Sequence, residues 1–180
     1  MEDKRIKVYL AGKIKSNGWR QQIVDIRNKV MYWGDYNVSK IKNLKLSYNN
    51  NIDIVGPFFL SCDHSHYHGE GNHGLGINCP NGCYGENTFT EKEVYDICLQ
   101  QIKKSDVVFA YINDDTCYGT LYELGYAKSL GKKIIILFES GKLMKDMWFI
   151  YQKADIVELV DKSERDYSVK RYFDELINKI

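Results

Sequence analysis

Net charge is nearly absent from this 180-residue chain: 25 Lys and Arg face 24 Asp and Glu, a formal +1. A surface so balanced exerts no global pull on a nucleic-acid polymer or an anionic membrane. A local basic site for one phosphate is still compatible with it. Long hydrophobic runs are absent too. The charged opening MEDKRIKVYLAG passes into an apolar stretch shorter than a signal-peptide core or a membrane span needs. Neither export nor membrane insertion is expected, and the cytosol is the expected compartment. Cysteine is too sparse for a disulfide framework, and five, an odd number, reads as reduced thiols. Proline occurs twice and tyrosine 14 times, and neither count alone selects a fold. What is present is an ordinary globular composition, 44% hydrophobic and 27% charged, of a length suited to one domain over 1–180.

The apolar pattern alternates between strand and helix. Ile6–Ala11 reads as a strand closed by Gly12, and Trp19–Trp33 carries a helical stripe at 19, 23, 26, 30 and 33. Residues 35–51 are polar and unplaced. Ile52–Val55 is a second strand, and a glycine-rich insert without helical period follows at about 57–89. A helix is predicted over Glu91–Lys104, then a fully apolar strand over Val107–Ile112. A helix from Gly119 to Leu130, a strand over Lys133–Phe138 and a helix over 142–153 come next. A short strand from Ile156 to Val160 and a helix from Ser168 to Ile180 complete the order. This alternation implies an α/β fold, a parallel sheet covered by helices on both faces. Ligands of such sheets bind beyond the carboxyl ends of the strands. The loops after Ala11 and Ile112 are therefore where chemistry is expected.

Glu123 stands out in the second of these loops and its helix, INDDTCYGTLYELGYA. In the first turn of a helix it would meet the positive end of the dipole and tend to stay ionised, as a carboxylate nucleophile requires. The same residues also fit a capping box, Thr120 with Glu123, and spacing alone favours the cap. Gly125 and Ala127 are expected to let the helix pack closely on a strand.

Tyr9-Leu10-Ala11-Gly12, then Asp106-Val107-Val108, then Gly119-Thr120-x-x-Glu123-Leu124-Gly125-x-Ala127 resembles the nucleoside 2-deoxyribosyltransferase family, which includes 2'-deoxynucleoside 5'-monophosphate N-glycosidases. The resemblance implies a Rossmann-like, flavodoxin-like three-layer sandwich with five parallel strands. It implies cleavage or transfer at an N-glycosidic bond of a deoxynucleoside or its monophosphate. Glu123 would be the nucleophile, attacking C1′ and forming a glycosyl-enzyme that a second base or water resolves, in the manner of retaining glycosidases. Tyr9 falls on the family tyrosine beside that nucleophile, although strand propensity alone makes it an ordinary aromatic. Two family acids are replaced, one by Cys117 and one by Cys98, which mark a divergent subgroup. Asp114 and Asp115 are then candidates to protonate the leaving base, set against a solvated turn. A buried cysteine is more often a small hydrophobe than a reactive thiol.

The loop GKIKSNGWR follows Ala11. Gly12 allows close backbone approach, and Lys13 and Arg20 offer charge for a 5′-phosphate, as the resemblance to the glycosidase branch implies. A solvated charged turn is the plainer account. Trp19 could stack on a base or begin the helix's apolar stripe. Gly119, Thr120, Cys98 and Cys117 complete the expected substrate contacts.

All four histidines lie in the insert, His64, His66, His68 and His73, with Cys62, Cys79 and Cys83 around them. Imidazole and thiolate suit zinc. The spacing matches no standard zinc motif, so zinc at Cys62, His64, His66, His68, Cys79 and Cys83 stands beside an active-site wall and a plain surface loop. As a wall, Asp63 and His64 would touch substrate. No cofactor is required by the expected chemistry. Trp148 and Phe149 read as core or interface aromatics, and the family suggests a homodimer or larger homo-oligomer, with Asp146 in reach of a neighbour's site. The expected partner is a small nucleoside or nucleotide, with neither nucleic-acid polymer nor membrane. A reading of another class remains: a nucleotide-binding sensor or metal module that keeps the fold without turnover.

Overall fold

The computed structural model describes residues 5–13, 18–25, 42–58, 91–161, 163 and 168–180. Fully apolar stretches set the centre. Ile6–Ala11 (β1), Val107–Ile112 (β4) and Lys133–Phe138 (β5) are strands with almost every side chain buried. Ile52–Gly56 (β3) and Ile156–Leu159 (β6) extend the sheet, and Leu46–Ser47 (β2) adds a short edge. The order is β2-β3-β1-β4-β5-β6. Five strands run parallel as expected, and the sheet gains a sixth, because β2 pairs antiparallel with β3. The β2 segment falls in the polar stretch whose composition hides it. Buried Leu46 is its one inward anchor.

The helices are Arg20–Ile23 (α1), Glu91–Lys104 (α2), Tyr118–Ser129 (α3), Gly141–Asp146 (α4), Trp148–Tyr151 (α5) and Val169–Ile177 (α6). Three differ from expectation. α1 ends at Ile23, because Val24 takes extended backbone, and residues 26–33 of the expected helix lie outside the described residues. The helix expected over 142–153 is two short ones that meet at Met147. α3 starts one residue early, at Tyr118, with Cys117 as N-cap and no side-chain cap bond. The expectation at α6 is met more simply: Ser168 Oγ accepts from the Arg171 N–H at 3.1 Å.

The chain leaves β1 toward β3 on one side, and β4 lies on the other, so the crevice at their carboxyl ends is a topological switch point. Register places Tyr9 beside Val108 and Ala11 beside Ala110. Tyr9, Val108 and Ala110 therefore share the face covered by α2 and α3. Phe109 faces the other layer, where it meets Phe173 of α6 at 5.1 Å.

Gly56 ends β3 at φ +146, where a Cβ would lie 2.1 Å from Gln101 Oε1 on buried α2. Both the backbone and the space require glycine there. Gly56→Ala is expected to destabilise the fold by about 1–3 kcal/mol through strain and overpacking, read as a lower midpoint in urea unfolding.

Candidate active site

Glu123 is half-buried in the second turn of α3, not the first, because the helix begins at Tyr118. The capping box is not formed: the N-cap is Cys117, and Thr120 is buried within the helix. The carboxylate instead accepts a hydrogen bond on Oε1 from the hydroxyl of Tyr9, a fully buried residue of β1. Cys98 on α2 and Arg20 on α1 stand close enough to act on the same carboxylate. Burial is the largest influence and pushes the Glu123 carboxyl up to about 7, while Tyr9, Arg20 and Cys98 pull it down. The helix end does not hold it ionised as expected: at the second turn the dipole has largely faded, and desolvation wins. Burial also raises the Tyr9 hydroxyl well above its usual range, aided by the charges of Cys98 and Glu123, so Tyr9 stays protonated and donates. Cys98 is pushed up to about 12, first by burial.

Arg20 and Trp19, expected to touch substrate, turn inward. Arg20 is 4% exposed, and its guanidinium donates to the carbonyls of Leu10 (2.8 Å), Lys13 (2.9 Å) and Gly12. It shapes the first loop from within and leaves no exposed fork for a phosphate. Trp19 packs at 5.9 Å from Phe109 and 5.6 Å from Tyr111, so it is core and no stacking platform. Its ring lies 3.1 Å from where a Cβ on Gly12 (φ +149) would stand, which is why Gly12 is needed at that turn.

Lys13 does face the crevice. Its ammonium bridges the two loops, donating to Asp114 Oδ2 at 2.7 Å and Thr116 Oγ1 at 3.0 Å. Asp114 also accepts from the Thr116 N–H at 2.8 Å. These bonds hold the Asp114 carboxyl far below the usual range, the Lys13 bond first. Asp115 is exposed on the same loop. Cys117 is buried at the head of α3, its thiol raised by burial. Gly119 is exposed with open space around it. Gly125 likewise has no neighbour within 4 Å of a built Cβ, so close packing falls to fully buried Ala127 alone.

Asp63 and His64, and the metal candidates Cys62, His66, His68, Cys79 and Cys83, lie outside the described residues. Among the described residues, no group of three or more His, Cys, Asp or Glu could hold a metal ion. Also among them, no helix is long and apolar enough to cross a membrane. Sequence reasoning passed over two polar groups. Thr116 completes the Lys13 bridge, and Asn113, the residue after β4, keeps a buried Oδ1 that finds no hydrogen-bond partner among the described residues. Position at a strand's carboxyl end was the one signal for Asn113.

Residues 48–169, more than half of the chain, match the family model described as nucleoside 2-deoxyribosyltransferase. The chain belongs to the nucleoside 2-deoxyribosyltransferase family. It is of an enzyme family that acts at the N-glycosidic bond of nucleosides. A solved structure described as Clostridium botulinum CMP N-glycosidase, BcmB, is 15% identical, with a TM-score of 0.39, over 97% of this chain and 99% of that one. No curated protein matches the sequence.

A carboxyl raised from 4.5 to about 7 binds its proton more tightly in the folded state than in the unfolded one. Its contribution to stability is fully present below the unfolded value and is lost as pH rises through about 7. Glu123→Gln is therefore expected to melt higher than the native protein at pH 8, with the advantage shrinking at pH 5, in thermal melts across that range.

Proposed function

We propose that Glu123 is the nucleophile of a double-displacement reaction on a nucleoside 5′-monophosphate. The observation that carries this reading is the Tyr9–Glu123 hydrogen bond beside the switch-point crevice, on the family's own motif glutamate. In the first step a Glu123 carboxylate oxygen bonds to C1′ while the C1′–N bond breaks. The electron pair leaves on the base nitrogen, which takes a proton from water. In the second step water or another base attacks C1′ and releases the carboxylate. Tyr9 steadies the carboxylate before attack.

Lys13 is the group that favours a monophosphate. Among the described residues it is a partly exposed cation at the crevice mouth, and a phosphate could take over its bonds from Asp114 and Thr116. Lys13→Ala is expected to lower kcat/KM for monophosphates about 10- to 100-fold, by loss of a charged hydrogen bond, and to spare the matching nucleosides. Equal losses for both would remove the phosphate from this reading.

The experiment for the reaction itself is chromatography of free base released from nucleosides, nucleotides and their deoxy forms. Glu123→Ala is expected to lower release by about a thousandfold or more. Retained release would remove Glu123 as nucleophile.

The same reading includes self-association. Phe149 is 78% and Trp148 57% exposed, and Tyr118, Tyr122 and Tyr95 are exposed on neighbouring α3 and α2. Exposed aromatics in such number mark an interaction face, and a second copy of the chain is its occupant here. Phe149→Asp is expected to move the protein from dimer to monomer in sedimentation velocity.

A further inference from the structure

Asn113 is a polar side chain at the crevice that the double-displacement reading leaves without a task. It is half-buried, and its Oδ1 is buried without a hydrogen-bond partner among the described residues. An amide oxygen left in that state costs the fold its lost hydration. The ordinary task of asparagine in such a loop is to close a turn, accepting from an N–H two residues on. Here that task falls to Asp114, which accepts from the Thr116 N–H at 2.8 Å. The local turn therefore gives no account of the orphaned acceptor.

Contacts on both sides set its place. Ala11 pairs with Ala110, and a Cβ on Gly12 would stand 2.9 Å from the Tyr111 carbonyl, so the chain leaving β1 runs close along the end of β4. One residue past Asn113, Asp114 Oδ2 accepts from the Lys13 ammonium at 2.7 Å. One residue before it, the Ile112 carbonyl accepts from the Glu139 N–H at 2.9 Å, where β5 ends. Asn113 thus stands at the carboxyl end of a central strand, at the switch point, next to the lysine bridge.

An amide oxygen accepts and does not donate. A phosphate dianion has no proton to give it, and Lys13 is the group for phosphate in the reading above. The missing partner is an O–H or N–H elsewhere on the ligand. In a nucleoside 5′-monophosphate the sugar hydroxyl nearest the phosphate is the 3′-hydroxyl. The 2′-hydroxyl lies beside C1′, at the nucleophile, and the base lies beyond C1′. The terminal torsion of asparagine is broad and two-fold, so the carboxamide can turn Oδ1 to the crevice when a donor arrives.

We propose that Asn113 is a specificity-determining residue, whose Oδ1 accepts a hydrogen bond from the sugar 3′-hydroxyl of the bound nucleotide. The proposal rests on the monophosphate reading, with the phosphate at Lys13. The competing account, a loop residue of structural use alone, gives residue 113 no say in the choice between sugars.

The test measures kcat/KM for nucleoside 5′-monophosphates of ribose and 2′-deoxyribose, each with and without the 3′-hydroxyl. The native protein, Asn113→Leu and Asn113→Asp are compared. The preference for the 3′-hydroxyl is expected to be about 10- to 100-fold larger in the native protein than in Asn113→Leu, which is apolar and similarly branched. Asn113→Asp keeps an acceptor at that place and is expected to keep the preference. Each preference is a ratio within one protein, so a general loss of activity leaves it unmoved. The intrinsic lability of each sugar is common to all three proteins and cancels. Equal preferences in the native protein and Asn113→Leu would overturn the proposal. If Asn113→Leu does not fold, Asn113→Ala takes its place with the same expectation. If no nucleotide turns over at all, the reaction assigned above fails on its own account. The same ratios are then read from dissociation constants by calorimetry. A 3′-hydroxyl preference that Asn113→Leu loses sustains the proposal without turnover. An unchanged preference, or no binding of any of these nucleotides, overturns it.

Discussion

A buried guanidinium holds the first loop and the site in one arrangement. Arg20 leaves water almost completely, which costs several kcal/mol for an unpaired ion. Its compensation is threefold carbonyl coordination at the end of β1, from Leu10, Gly12 and Lys13, together with the nearby Glu123 carboxylate. Gly12 and Lys13 are thereby held before any ligand arrives, and Lys13 is delivered to the crevice as the guanidinium takes its carbonyl. The attraction is mutual: Arg20 lowers the Glu123 carboxyl, and Glu123 offsets the desolvation of Arg20. The pair of charges thus offsets part of the desolvation cost of each.

The carboxylate illustrates the usual tension between activity and stability. Burial raises it toward neutrality, and the donors around it pull it back. A more solvated glutamate would be a more stable anion and a weaker nucleophile. A fully buried one without Tyr9, Arg20 and Cys98 would be protonated at neutral pH. Sites of this kind keep a local cost that the surrounding core must offset. Here the offset comes from a sheet whose central strands, β1, β4 and β5, are nearly sealed on both faces.

Much of this was legible in the residues themselves. β1, β4, β5 and α2 fall where their apolar runs or stripes placed them, because continuous burial leaves an unbroken signal. Thr120 misled for a physical reason: threonine is a common N-cap, but here it is buried inside α3 and a cysteine stands at the cap. Arg20 and Trp19 show a second limit. A basic residue and an aromatic in a glycine-flanked loop read as ligand contacts, and nothing local says that both turn inward. The Lys13–Asp114 pair joins residues 101 positions apart, so only the sheet order, which sets β1 beside β4, could bring it to view.

The sheet's first edge has a consequence of its own. β2 offers two residues, and one of them, Ser47, receives the Arg5 guanidinium, which also binds the carbonyls of Asn49, Asn50 and Ile52. A strand so brief, with a charged side chain already spanning its turn, is a poor template for backbone pairing with another chain. Runaway sheet extension, the route from a stable α/β protein to fibres, is discouraged at that margin.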